Sequence, residues 1–129
     1  MQKFIVQRVK SFRHALRGGV YSLRTQPNTW IHSGATLLVI GLAAWLSLSA
    51  QDWALLILAI GLVWAAEFMN TAVESVVDLV SPHQNWRAGA AKDAGAAAVL
   101  AAAGSAALIG LLVMGPPLWQ KLAALLGWQ

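Results

Sequence analysis

The chain contains no cysteine, which excludes disulfides and thiolate metal sites and leaves the redox compartment unread. Charge is scarce too. Five acids and nine Lys or Arg residues make up 11% of its 129 residues, against roughly 25% in an ordinary soluble domain. With 58% of the residues hydrophobic, a soluble fold of this length has nowhere to hide its apolar surface, and the bilayer is its natural solvent. The length suits one domain and is too short for two. The pattern of a secretory signal peptide is missing as well: no apolar run directly follows the basic N-terminal stretch, and no A-x-A-like site closes it.

What charge there is sits unevenly. Lys3, Arg8, Lys10, Arg13, Arg17 and Arg24, six of the nine cations, precede residue 25. A basic segment beside apolar spans points to an anionic cytoplasmic leaflet, and nucleic-acid binding fits the rest of the chain poorly. Within residues 3–24, Ile5, Val9, Phe12, Leu16, Val20 and Leu23 recur at three or four positions, with cations mainly opposite. This predicts an amphipathic helix in the membrane interface; packing on another protein is the alternative. Gln26, Pro27, Asn28 and Thr29 then break the pattern.

Three spans follow, each about the twenty residues that the hydrocarbon layer needs, or longer. The first covers 30–50, with His32 near its start. A short turn, Ser49 to Asp52, returns the chain into the second, 53–80, ended by Ser81 and Pro82. A polar loop, His83 to Lys92, leads to the third, 93–114, which Gly115, Pro116 and Pro117 are expected to stop. Residues 118–129, with Trp119, Lys121 and Trp128, form a short interfacial piece. The expected fold is therefore an all-α integral membrane domain, a surface helix plus three transmembrane helices. Cations in the N-terminal segment and at Arg87 and Lys92 place both regions in the cytoplasm by the positive-inside rule. Ala90, Ala94, Ala98, Ala102, Ala106 and Gly110 repeat every four residues, as small residues do where membrane helices meet, and predict a homo-oligomer.

The second span carries the chemistry. Glu67, Asn70, Glu74 and Asp78 fall within an arc of roughly 80° at about 100° per residue. Each acid at mid-membrane costs about 2.5–3.5 kcal/mol, less near the interface. Such a stripe faces a protein interior or a wet cavity and is a functional candidate by default; interhelical glue is the plainer reading. Carboxylates with an amide oxygen suit a hard cation such as Mg²⁺, which shares its shell with phosphates. Lys92 and Asp93, placed at the start of the third helix, would meet those phosphates with the helix dipole in support. A spare carboxyl could act as general base. A proton or ion pathway would use the same acids.

The stretch Glu67-Phe-Met-Asn70-Thr-Ala-Val-Glu74-Ser-Val-Val-Asp78, followed by Ala91-Lys92-Asp93-Ala-Gly95, resembles the prokaryotic diacylglycerol kinase family, which includes the undecaprenol kinases. Both halves of the pattern, at this separation, are specific to that family, and the resemblance covers most of the chain. It implies a homotrimer with sites between subunits near the cytoplasmic face of a bacterial inner membrane, using ATP and Mg²⁺ to phosphorylate undecaprenol or diacylglycerol. It makes Glu74 a magnesium ligand and Glu67 the general base on the lipid hydroxyl. Asn70 would place that carboxylate and the phosphates, Lys92 and Asp93 would contact ATP, and Asp78 would support the site.

One position departs. Where the family has a second metal-binding carboxylate, this chain has Gln26, which offers an oxygen without charge. The resemblance then implies weaker magnesium binding or a cation that arrives already held by ATP; a non-catalytic nucleotide- or lipid-binding relative is the alternative. His32 matches the undecaprenol kinases of Gram-positive bacteria, where enteric diacylglycerol kinases have Glu, and tilts the expected substrate toward a polyprenol. His14 and His83 receive no role, and Trp45 and Trp64 are read as packing or lipid-facing residues.

Overall fold

In the computed structural model, which describes residues 1–81, 83 and 85–127, the chain forms four helices, and no strand occurs among the described residues. They are α1 (Gln2–Thr25), α2 (Pro27–Trp45), α3 (Ala50–Val80) and α4 (Trp86–Leu125). Pro82, expected to end the second span, and Trp128, expected at the interface, lie outside the described residues. Two helices, α3 and α4, are long and apolar enough to cross a membrane.

Several boundaries differ from the sequence reading, each for a local reason. Only Gln26 separates α1 from α2. Pro27 opens α2 rather than breaking the chain, because the missing N–H of a proline costs nothing at the first helical position. Asp52 belongs to the first turn of α3, not to the connection. The Ser49 hydroxyl accepts from the Asp52 N–H at 3.2 Å and the Asp52 carboxylate accepts from the Ser49 N–H at 3.2 Å, a reciprocal cap that starts α3 at Ala50. The turn therefore shifts back to 46–49, where Ser47 adopts φ 55°. Asn85 caps α4 by accepting from the Arg87 N–H at 2.9 Å, which draws residues 86–92 into the helix.

The largest correction concerns the end of α4. Gly115, Pro116 and Pro117 do not stop it; the helix runs on to Leu125. The α conformation before a proline is disfavoured by that residue's Cβ and N–H. Gly115 lacks the first and Pro116 lacks the second. Lys121, beyond the prolines, donates to the Trp45 carbonyl at the end of α2 and sits over the Trp45 ring, 4.6 Å from its centroid.

α3 and α4 form the tightest pair, an antiparallel hairpin against which α1 and α2 pack. The distribution of side chains is inverted relative to a soluble protein. Large apolar residues along every helix are exposed, among them Leu37, Leu38, Leu58, Leu100 and Leu112. The bulkiest fully enclosed side chains are polar: Glu67, Thr29 and Ser22. Scattered exposed apolar residues are ordinary, but a continuous apolar exterior around a polar centre belongs in lipid. Together with the two apolar helices it marks a membrane protein.

Candidate active site

The enclosed polar residues lie where the α1–α2 corner meets the middle of α3. The Ser22 and Thr71 hydroxyls are 2.9 Å apart, and Thr71 also donates to the Glu67 carbonyl at 2.9 Å, one turn back on its own helix. Thr29 donates to the Gln26 carbonyl at 2.6 Å. All three hydroxyl residues are buried, so each bond forms where water offers no replacement. They fix the corner against α3 and thereby place Gln26. Sequence reasoning gave them no role. Thr71 stood within the quoted motif, but Ser22 and Thr29 carry no signal beyond being small polar residues flanking Gln26.

Gln26 and Asn70 converge on Glu74. The Gln26 side-chain amide donates to one carboxylate oxygen at 2.6 Å, and the Asn70 amide donates to the other at 3.0 Å. Asn70 is oriented from its other side by α4. A Cβ at Gly95 would collide with the Asn70 carbonyl oxygen, so only glycine lets the helices close over that amide. That oxygen is buried and accepts no hydrogen bond among the described residues.

Glu67 is the most isolated member. It is 0% exposed, and neither carboxylate oxygen has a hydrogen-bond partner among the described residues. The nearest cation-forming group is His32, whose Nε2 lies 3.7 Å from Oε2. A buried acceptor left without a donor costs free energy and persists mainly where function requires it.

At the far end of α3, Lys92 donates to Asp78 at 2.5 Å. Both are exposed enough that the pair adds little to stability. They border an open hollow of about 640 Å³ at the α3–α4 connection, also lined by Trp86, Gly89 and His83. Lys92 is the seventh residue of α4, not at its N-terminus as expected, so the helix end lends it little positive potential. Asp93 is exposed and takes part in no hydrogen bond among the described residues.

Of the expected residues, the fold thus joins Gln26, Asn70 and Glu74 directly, joins Asp78 to Lys92, and keeps Glu67 apart with His32. The arrangement contains a buried carboxyl group without a hydrogen-bond partner among the described residues, a carboxylate held in place by two amides, and an ammonium beside an open hollow. Among the described residues no three His, Cys, Asp or Glu side chains cluster as a closed metal site.

The profile of the prokaryotic diacylglycerol kinase family matches residues 13–114, from α1 to the residue before Gly115-Pro116-Pro117. The chain belongs to that family. Diacylglycerol kinases of this family are lipid kinases, and similar proteins bear matching names. The undecaprenol kinase of Bacillus subtilis (strain 168) is 39% identical over 109 residues, which span 84% of this chain and 89% of that protein. A diacylglycerol kinase of Synechocystis sp. is 44% identical over 109 residues, 84% of this chain and 62% of the relative. The diacylglycerol kinase of Escherichia coli (strain K12) is 35% identical over 98 residues, 70% of this chain and 80% of its own length. The part of α4 beyond Met114 falls outside the diacylglycerol kinase family match.

Proposed function

We propose that the chain is an ATP- and Mg²⁺-dependent lipid kinase that phosphorylates the hydroxyl of a membrane lipid alcohol, undecaprenol or diacylglycerol, at the cytoplasmic face of a bacterial inner membrane. The observation that carries this reading is the buried, partnerless Glu67 carboxylate. Phosphoryl transfer needs mainly positioning and charge neutralisation. In the proposed step the lipid oxygen attacks the γ-phosphorus, its proton passes to Glu67, and the bond to the bridging oxygen breaks to release ADP. Lys92 holds phosphate oxygens as a point charge, with Asp78 orienting it and Asp93 beside it. Asn70 holds the Glu74 carboxylate from its own helix.

The donor set fits magnesium in an open rather than a caged form. One carboxylate, Glu74, beside the Gln26 side chain suits an ion that keeps waters and nucleotide phosphates as its other ligands. When bound, the cation supplies charge neutralisation on the phosphates. Glu74 and Gln26 would hold it, and the amide N–H bonds already made to both Glu74 oxygens favour a cation that would be held largely by the ATP phosphates.

In this reading α2, continued by residues 46–49, is a third span beside α3 and α4, and α1 lies in the cytoplasmic interface. The exposed Ala90, Ala94 and Ala98 of α4 offer a smooth face to further copies in a homotrimer, while Ala102 and Gly110 are buried within the chain itself.

The Gln26–Glu74 bond also favours a second reading, a relative that binds nucleotide or lipid without turnover. One assay separates them. Purified protein in mixed micelles receives Mg-ATP with diacylglycerol or undecaprenol, alongside Glu67→Gln and Gln26→Glu. Phosphorylated lipid from the wild type and none from Glu67→Gln supports the kinase; product only from Gln26→Glu supports the binding protein.

A further inference from the structure

The cations of α1 are used by none of these roles. That helix carries six of them and no acid. Three share one hollow: Arg13, Arg17 and Arg24, with Leu16, Val20 and Tyr21, border an open space of about 530 Å³. All three arginines are exposed, and among the described residues none forms an ion pair or a hydrogen bond.

Helical geometry fixes which way they face. At about 100° per residue, Arg17 and Arg24 fall within roughly 40° of Arg13. Ser22, whose hydroxyl meets Thr71 of α3, lies roughly opposite, so the arginine row turns away from the bundle. One flank of the row is apolar and open: Val9, Phe12, Leu16 and Val20 are each exposed, from 46% at Val20 to 68% at Phe12. The other flank holds the polar Gln7, His14 and Thr25. A helix lying in the interface turns its apolar stripe down and its polar flank up. The arginine row then runs along the waterline, where the stems rest on apolar surface and the charged heads reach the phosphate layer.

Charge identifies the occupant. Guanidinium forks match phosphate oxygens in bidentate pairs, and the Tyr21 hydroxyl adds a neutral donor. A second copy of the chain supplies too little negative charge to fill the hollow. Of its five acids, Glu67 is buried, Glu74 is held by two amides, Asp78 is paired with Lys92, and Asp52 caps the other end of α3. Asp93 alone is left, against three arginines. An anionic phospholipid meets both halves of the lining, with a phosphodiester for the cations and acyl chains for Leu16 and Val20.

Resting on the interfacial placement of α1 given above, we propose that this hollow binds one anionic phospholipid of the surrounding leaflet. Arg13, Arg17 and Arg24 hold its phosphodiester, and its chains run down past Leu16 and Val20. A lipid alcohol awaiting phosphorylation carries no phosphate and is not this ligand.

The test uses the full chain in phosphatidylcholine nanodiscs containing a small fraction of spin-labelled phosphatidylglycerol. Electron paramagnetic resonance reads the fraction of label held by the protein. The wild type is expected to hold the anionic lipid saturably, one per chain. Arg17→Gln combined with Arg24→Gln should weaken it roughly tenfold, as when charge-assisted hydrogen bonds are lost. Lys3→Gln combined with Lys10→Gln removes the same charge from the same helix outside the hollow, and should leave binding nearly unchanged. Arg17→Lys combined with Arg24→Lys keeps the charge without the fork and should recover only part of the loss. Millimolar inorganic phosphate should not displace the lipid. If the glutamine pair fails to fold, Arg17→Gln alone carries the comparison.

An equal loss in the two glutamine pairs would reduce the site to diffuse attraction, and unchanged binding without Arg17 and Arg24 would remove it. Full recovery by lysine overturns the bidentate grip, and displacement by inorganic phosphate makes this a site for soluble anions instead. Because the chain has no cysteine, a spin label at Val9→Cys, in unlabelled lipid, reports the depth of α1 separately. A label reached by a water-soluble relaxant rather than by oxygen withdraws the interfacial placement itself. A label immersed in lipid, with no phosphatidylglycerol held, overturns the binding site alone.

Discussion

The side-chain amide nitrogen of Gln26 lies 2.6 Å from a carboxylate oxygen of Glu74, tying the α1–α2 corner directly to α3. A direct amide–carboxylate bond needs no counter-ion, whereas two carboxylates at this spacing would repel each other unless a cation intervened.

Gln26→Glu should therefore make stability depend on divalent cations. Without nucleotide, the wild-type thermal midpoint in detergent is expected to be the same with and without Mg²⁺. The variant should melt lower in chelator, by an amount reflecting about 1–3 kcal/mol for a hydrogen bond lost in a part-buried site, and recover when Mg²⁺ is added. A variant indifferent to Mg²⁺ would show that no cation enters between positions 26 and 74.

Gly95→Ala should disturb the site through Asn70. The added methyl would overlap the Asn70 carbonyl oxygen, so either the helices part or the amide turns and releases Glu74. Overpacking of this kind costs about 1–3 kcal/mol. A lower melting midpoint together with at least tenfold lower kinase turnover is expected. Gly104→Ala, where a Cβ meets nothing within 4 Å, is the matched control and should leave both unchanged.

Lys92→Ala separates function from stability. Because its pair with Asp78 is exposed, the melting midpoint should barely move. Nucleotide affinity, read by calorimetry with a non-hydrolysable ATP analogue, should fall roughly tenfold to a hundredfold, as when a charge-assisted hydrogen bond is lost. Normal affinity in this variant would remove Lys92 from the nucleotide site.

How much of this was legible beforehand depends on the range of the interaction. Glu67, Asn70, Glu74 and Asp78 share one helix, so elementary geometry already put them on one stripe, and α3 keeps them there. That Gln26 would meet Glu74 could not be read from spacing, because 48 residues separate them and the corner that joins them rests on Ser22, Thr29 and Thr71. Caps misled in the other direction. Asp52 read as a turn residue, although Ser49-Ala-Gln-Asp52 ahead of an apolar run has the spacing of a capping box. The prolines read as a stop because the rule for residues preceding proline assumes a Cβ and an N–H, which Gly115 and Pro116 do not both supply.

Those prolines give a fourth prediction. Pro116→Ala and Pro117→Ala each restore a donor inside a helix that already forms, so each variant should melt higher than the wild type, by up to about 3 kcal/mol. Far-UV circular dichroism should keep its helical signal. A loss of helicity or a lower midpoint would mean that the prolines set a bend on which the Lys121–Trp45 contact depends.

The inverted interior has a practical consequence for anyone handling the protein. Its centre is held by hydroxyls and amides at the Ser22, Thr29, Thr71 and Gln26 corner, and such bonds are strong only while water is kept away. A short-chain or poorly packed detergent that lets water seep past α1 would loosen that corner before any helix unwinds, and Gln26 would drift from Glu74. Solubilising agent, bilayer thickness and lipid composition are then not background conditions of an assay but settings of the active-site geometry, and two laboratories using different mimetics would be measuring two differently aligned enzymes.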